Sequence, residues 1–339
     1  MVERPIEGFF VESIEGLIFD VKGLVHPPDR VIAYIRYVPD PEGDRERRGS
    51  SIRYAKVYSL RDRELFLRTN FPEYLYFDKF LNRWFQAVPY SRLHKVYDPI
   101  AALNGLLKKR SKDRVEALAC ELASFLESLT GIGYECIGVS GSLLVGLHTD
   151  KSDIDLVVYG EKAGRALYRS LKTIMEGEED ALRRYTYREL LRLYELRVKD
   201  TFMPLNSFLL SERRKVLQGV FRGRDFYIRL IKEPEEYEER YGQCIYRLLG
   251  RVRIRAMVSN DRDSIFTPCR YLISQVRVLK GESPEPIREI ISFRGRFCEQ
   301  AFSGENILAE GSLELVESES DSYCRLVIGE HVGDFLCVL

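Results

Sequence analysis

The first hundred residues carry apolar and polar positions at the two-residue period of half-buried strands. "GLIFDVKGLV" and "DRVIAYIRYV" are rich in β-branched and aromatic residues, with "HPPDR" as a proline-driven turn between them. "YAKVYSL" and "YLYFD" predict further strands, "GDRERRGSS" a charged hairpin tip and "DKFLNRWFQAV" a short helix. From Asp98 the period lengthens. Asp98 followed by Pro99 is an N-cap and first helical position, and it opens "DPIAALNGLLKKR". In "SKDRVEALACELASFLESLTG" the positions Val115, Leu118, Ala119, Leu122, Phe125, Leu126 and Leu129 recur at helical spacing, and Gly131 suits the stop. "YECIGV" is a short buried strand. Helices are predicted at "KAGRALYRSLKTIMEG", "YRELLRLYELRVK" and "SFLLSERRKVLQGVF", and a strand at "DFYIRLI".

After about Arg240 the pattern returns to strands, through "RVRIRAMVS", "SIFTPCRYLI", "GSLELVE", "YCRLVIG" and "DFLCVL". The order predicts an α/β chain: a β-rich region at 1–97, a mixed sheet with helices at 98–240, and a β-rich domain at 241–339. "DRVIAYIRY" at 29–37 aligns with "DSIFTPCRY" at 263–271, which suggests either a duplicated β-rich unit or two hairpins that resemble one another.

Composition narrows the class of protein. With 339 residues, two or three domains are expected. The 52 basic and 52 acidic residues cancel, so a nucleic-acid or membrane surface could only be local. No apolar run approaches the ~18 residues of a membrane span, and the acidic start "MVERPIEGFFVESIEG" lacks a signal-peptide core. A cytoplasmic protein without membrane association is expected. Asparagine and glutamine are scarce and Arg and Glu abundant, a bias that fits a thermophile, in which one disulfide among the cysteines would be unsurprising. The seven cysteines and four histidines are scattered without C-x-x-C pairs, which argues against a zinc cage.

Chemistry concentrates in "GVSGSLLVGLHTDKSDIDLVVYG", residues 138–160. Gly141 ends a strand in a turn, and the short helix that follows from Ser142 presents backbone N–H groups and a serine hydroxyl, an anion cradle. Ten residues later Asp153 and Asp155 share one strand face, roughly 6–7 Å apart. Two carboxylates at that separation can ligate Mg²⁺ (or Mn²⁺), which prefers carboxylates together with phosphate oxygens.

Glycine, serine, a ten-residue gap, then Asp153-Ile154-Asp155 resembles the nucleotidyltransferase superfamily of the DNA polymerase β type, and among its members an archaeal group of predicted nucleotidyltransferases. The resemblance covers at most 100–140 central residues. It implies a nucleotidyltransferase-like central sheet, magnesium, an NTP and a third carboxylate on a later strand. Asp225 in "GRDFYIRLI" is the best candidate for that carboxylate and Asp200 in "RVKDTFMP" the second. Arg229, on the strand face of Asp225, is either a triphosphate clamp or an ion-pair partner of Asp225. His148 and Lys151 lie in the loop before Asp153 and could touch a phosphate or simply be solvated. The Arg- and Tyr-rich stretch 183–195 could contact nucleic acid or form an amphipathic surface helix.

Two functions are compatible with these residues. One is an enzyme moving an NMP from an NTP to a hydroxyl of an RNA end, a protein or a small molecule, with Asp153 and Asp155 on the metal, Gly141 and Ser142 on the nucleotide and Asp225 toward the acceptor. The other is a non-catalytic nucleotide-binding or scaffold module with a degenerate core.

Overall fold

A computed structural model describes residues 5–177, 181–199, 201 and 203–339. The chain is mixed α/β, with three sheets and, among the described residues, seven α-helices. It divides into two compact units: Met1–Asp78 with Trp84–Arg183 and Leu217–Tyr237, and Lys79–Arg83 with Arg184–Val216 and Glu238–Leu339. The units therefore cut across the three sequence segments. All of region 1–97 except Lys79–Arg83 shares a unit with most of the central segment, and the helical stretch from Arg184 goes with the C-terminal sheet.

In chain order the first unit contains β1 (Phe10–Ser13), β2 (Ile18–Val21), β3 (Arg30–Pro39), β4 (Arg45–Glu46), β5 (Arg53–Lys56), α1 (Leu60–Asn70), β6 (Leu75–Asp78), β7 (Arg83–Pro89) and β8 (Leu93–Tyr97). These strands form an eight-stranded sheet along the path β4-β5-β3-β2-β1-β8, with the β6–β7 hairpin joined through β3. Two expectations are corrected here. α1 was not foreseen, although Ser59 caps it by accepting from Asp62 N–H at 3.0 Å. "DKFLNRWFQAV" is a β-hairpin and not a helix, its turn closed with Asn82 at φ 47°, a left-handed conformation that asparagine tolerates.

The chain continues through α2 (Pro99–Lys108), α3 (Arg114–Thr130), β9 (Ile137–Val139), α4 (Gly141–Leu144), β10 (Ile154–Tyr159), α5 (Glu161–Ile174) and β11 (Leu182–Arg183). α2 starts as the sequence predicts: Asp98 accepts from Ile100 and Ala101 N–H, with Pro99 at the first position. α3 carries a capping box of Asp113 and Glu116 and stops at Gly131 in the left-handed conformation, φ 69°. Its buried Val115, Leu118, Leu122 and Leu126 follow the predicted apolar spacing and face the sheet and α5.

After α6 (Tyr187–Arg197) and α7 (Leu205–Glu212) come β12 (Gln218–Phe221) and β13 (Arg224–Ile231). "SFLLSERRKVLQGVF" is therefore a helix and then a strand. Arg222 and Gly223, at φ 46° and 80°, form a two-residue turn of the kind hairpins use. The central sheet runs β11-β12-β13-β10-β9, with β10 parallel to β13 and antiparallel to β9.

The second unit adds β14 (Ile245–Asn260), β15 (Cys269–Lys280), β16 (Ile287–Ser292), β17 (Asn306–Glu317), β18 (Ser322–Val327) and β19 (Phe335–Val338), a six-stranded sheet with an extra β14–β17 pairing. Its core includes Ile254, Val258, Tyr271, Ile290, Leu313 and Leu326. Arg325 is nearly buried, and its guanidinium donates to Glu314 at 2.6 Å and Glu239 at 2.9 Å. The proposed internal repeat does not hold: 30–37 lies in one continuous strand, whereas 263–268 forms turns and only Cys269 onward is strand. All seven cysteines are free thiols, so the expected disulfide is absent.

Candidate metal and nucleotide site

The central sheet positions the motif through backbone pairing. Ser140 N–H donates to Asp155 O at 2.9 Å, which extends the β9–β10 ladder past Val139–Leu156 and stops the strand beside the aspartate pair. Gly141 then turns at φ 61°, where a side chain is disfavoured. A Cβ at this position would fall within bonding distance of an Asp155 carboxylate oxygen, so only glycine lets the carboxylate lie against the turn. Ser142 is buried, and its hydroxyl donates to Ser152 Oγ at 3.3 Å, which in turn accepts from Thr149 N–H at 3.0 Å. This bond closes the ten-residue gap.

Asp153 is exposed at the mouth of β10, and Asp155 is one same-face step further in and mostly covered. Ile154 and Leu156, between and beyond them, are fully buried on the opposite face. Burial, followed by the charge of Asp153, pushes the Asp155 carboxyl up to about 7, against the pull of Arg229, Lys56 and Arg36. Two hard oxygen donors that repel each other suit a divalent cation such as Mg²⁺ or Mn²⁺.

Asp225 is exposed on β13, one residue before the first register pair, Ile154–Phe226. Because in-register neighbours share a face, Asp225, Tyr227 and Arg229 lie on the side of Asp153 and Asp155, while Phe226 and Ile228 are buried on the other. Arg229 sits opposite Val157. Its ion-pair partner is Glu7 rather than Asp225: Nη1 donates to Glu7 Oε1 at 2.6 Å and stands 4.0 Å from Asp20 Oδ1. Asp200 lies outside the described residues.

The N-terminal sheet contributes groups that sequence motifs do not reveal. Glu7 is fully buried and also accepts from Gly23 N–H at 2.7 Å and Lys22 Nζ at 3.2 Å. Asp20 pairs with Lys22 at 2.8 Å. Burial opposes ionisation of Asp20, but Lys22, Arg229 and Arg36 outweigh it and hold the carboxyl low. Gly8 passes so close to the central sheet that a Cβ would meet Tyr159 Oη at 2.7 Å; Ser140 Oγ donates to Gly8 O, and Tyr159 Oη to Glu7 O. On the other side of the motif, Tyr37 and Tyr54 pack with Leu144, Val145 and Leu147. The sequence signal for these groups was the placing of charges, Asp20 and Arg36 within and Lys22 just after otherwise apolar strands.

His148 is buried, not solvated, with Nε2 2.9 Å from Asp113 Oδ2. With Glu116 these residues offer three ligand atoms within 4.8 Å of one another. Arg48 pairs with Asp113 at 2.6 Å, and Lys109 spans both Glu116 oxygens at 2.8 and 2.7 Å, so the cluster already carries matching positive charge and the two acids serve as helix caps. Lys151 is exposed. Of the stretch 183–195, the part in α6 buries Leu190 and otherwise shows partly or fully exposed side chains, as an amphipathic surface helix does.

No helix among the described residues is long and apolar enough to cross a membrane. No protein-family model matches the chain, and no solved structure matches it. It is 30% identical over 328 residues to an uncharacterized protein of Methanocaldococcus jannaschii, MJ1086, covering 94% of each chain. That identity, sustained over nearly the full length of both, means that the chain belongs to the family of this archaeal protein.

Proposed function

We propose that this chain is a metal-dependent nucleotidyltransferase of the DNA polymerase β type, transferring an NMP from an NTP to the hydroxyl of an acceptor. The observation that carries this is the seating of Asp155 against Gly141, with Asp153 one same-face step along the strand. A turn whose backbone N–H groups can take phosphate is thereby held against a carboxylate pair suited to a cation. Mg²⁺ held by Asp153 and Asp155 would supply charge neutralisation at the phosphate oxygens.

The chain's own residues would do the rest. The Gly141 turn orients the phosphates, and Asp225, on the same sheet face, takes the proton of the attacking hydroxyl. Oxygen–phosphorus bond formation at the α-phosphate then breaks the bond to the β-phosphate, and pyrophosphate leaves. The acceptor is an RNA end, a protein or a small molecule.

One observation favours the alternative, a nucleotide-binding module without catalysis. Asp225 is exposed, and Arg229, the cation nearest along its strand face, is held by Glu7. Incubation with Mg²⁺ and each α-labelled NTP, alone and with cellular RNA or extract, separates the two. Label transferred to an acceptor supports the enzyme, while NTP binding without transfer supports the module.

A further inference from the structure

We propose that Arg36 and Lys56, on the neighbouring strands β3 and β5, clamp the phosphate chain of a nucleotide held at the Asp153–Asp155 pair. The inference rests on the nucleotide-binding part of the function proposed above and replaces Arg229 in the role of clamp.

Three observations lead to it. Lys56 lies opposite Tyr37 and so shares its sheet face, while Arg36, whose carbonyl accepts from Val57 N–H at 3.0 Å, is the extra residue where the β2–β3 register shifts between Phe19–Ile35 and Ile18–Tyr37, a bulge that re-aims a side chain. On the face of Lys56, Tyr37 and Tyr54 pack on Leu144, Val145 and Leu147, which pins this part of the N-terminal sheet to the segment that follows the Gly141 turn. Arg45 Nη1 fastens the adjoining hairpin by donating to Leu147 O at 2.9 Å.

The second observation concerns partners. Surrounding cations are paired: Lys22 with Glu7 and Asp20, Arg47 with Glu12, Arg48 with Asp113, Arg229 with Glu7. Arg36 and Lys56 are both partly buried, yet neither has a carboxylate within ion-pair distance among the described residues. A half-buried cation without a counter-ion is costly. An arriving phosphate would supply the missing charge through short, charge-assisted hydrogen bonds, bidentate from the guanidinium.

The third is electrostatic. Arg36 and Lys56 both pull on the Asp155 carboxyl, and the charges of Asp153 and Asp155 reach Lys56 in return. Burial, then the like charges of Arg36 and Arg45, lower the Lys56 amine to about 8 despite those acids. The two cations are thus within electrostatic reach of the acid pair, and Lys56 shares the face of Tyr37 and Tyr54 that packs on the segment after Gly141, an arrangement that suits a phosphate chain carrying a divalent ion.

The test is calorimetric titration of the full chain with inorganic tripolyphosphate in Mg²⁺, and with each NTP. Arg36→Gln and Lys56→Met should each weaken tripolyphosphate binding about tenfold or more, and NTP binding in parallel. The exposed, paired Arg222→Gln serves as the control and should leave both unchanged. Without ligand, both variants should be at least as thermally stable as the parent, because each removes an uncompensated half-buried charge and breaks no ion pair. Unchanged tripolyphosphate affinity in the double variant, equal loss in the control, or no binding by the parent chain would each overturn the clamp. Tripolyphosphate binding that depends on Arg36 and Lys56, without any NMP transfer, would leave the clamp standing and remove the enzyme.

Discussion

Gly141 and Asp155 fit together because one has no side chain: the Asp155 carboxylate occupies the space a Cβ on Gly141 would need. Gly141→Ala combines that clash with a left-handed backbone, φ 61°, at a cost of about 1–3 kcal/mol. The variant should stay folded in urea titrations at reduced stability. Its Mn²⁺ affinity should drop, because Asp155 must move away from Asp153. Undiminished Mn²⁺ binding would separate the glycine from the metal site.

The pairing of Arg229 with Glu7 spans 222 residues and joins the N-terminal segment to the central sheet. Glu7 is fully buried and also serves Lys22 and the Gly23 N–H. Glu7→Ala leaves these donors unmatched and should destabilise the first unit by about 3–5 kcal/mol. Glu7→Gln, which keeps an acceptor for Gly23, should cost less. Denaturant midpoints check both, and an unaltered midpoint in the alanine variant would show that Arg229 has another anion.

Sequence patterns disclosed the local features of this fold because their causes are local. The Asp98–Pro99 start of α2, the apolar spacing of α3, the Gly131 stop and the alternation of β10 each depend on residues a few positions apart. The spacing from Gly141 to Asp155 was legible in the same way. Helix α1 was missed because its charged face resembles a loop, and the Lys79–Asn82 turn because its flanking aromatics also suit a helix. Glu7, Asp20, Arg36 and Lys56 were illegible as site residues. They belong to an N-terminal segment whose sheet is separate from the one that carries the aspartates, far away in sequence, and no spacing rule encodes the packing of one on the other. For the same reason the pairing of Arg229 with Glu7, at the start of the chain, was illegible, and Asp225 on its own strand stood as the candidate partner.

Asp155 also makes stability depend on pH. Its proton is held to about pH 7 in the folded chain but released near 3.8 when unfolded. Between these values the folded state binds more protons, so this residue's contribution to stability falls as pH rises from about 4 to about 7 and is level outside that window. Asp155→Asn abolishes the slope. The variant's gain over the parent, measured as a shift in urea midpoint without divalent ions, should be largest at pH 8 and vanish near pH 3.5. A gain independent of pH would mean that the carboxyl titrates normally.

Asp225 decides between transfer and binding alone. It lies on the sheet face of Asp153 and Asp155 but begins its strand exposed to water, beyond the covered position of Asp155. A carboxylate there can take a proton from an acceptor hydroxyl without being required to hold the first cation. Asp153→Asn and Asp155→Asn should therefore abolish both NMP transfer and the stabilisation by Mg²⁺, which is about 2.7 kcal/mol when the ion is present at a hundredfold its dissociation constant. Asp225→Asn should leave the Mg²⁺-induced rise in melting temperature intact while lowering transfer by a factor of about 10²–10⁴, the usual contribution of a positioned acid or base. Parallel melting curves and label-transfer rates for the three variants provide the comparison. Full transfer by Asp225→Asn would give the proton-accepting role to another group, and loss of the Mg²⁺ response in that variant would make Asp225 a metal ligand instead.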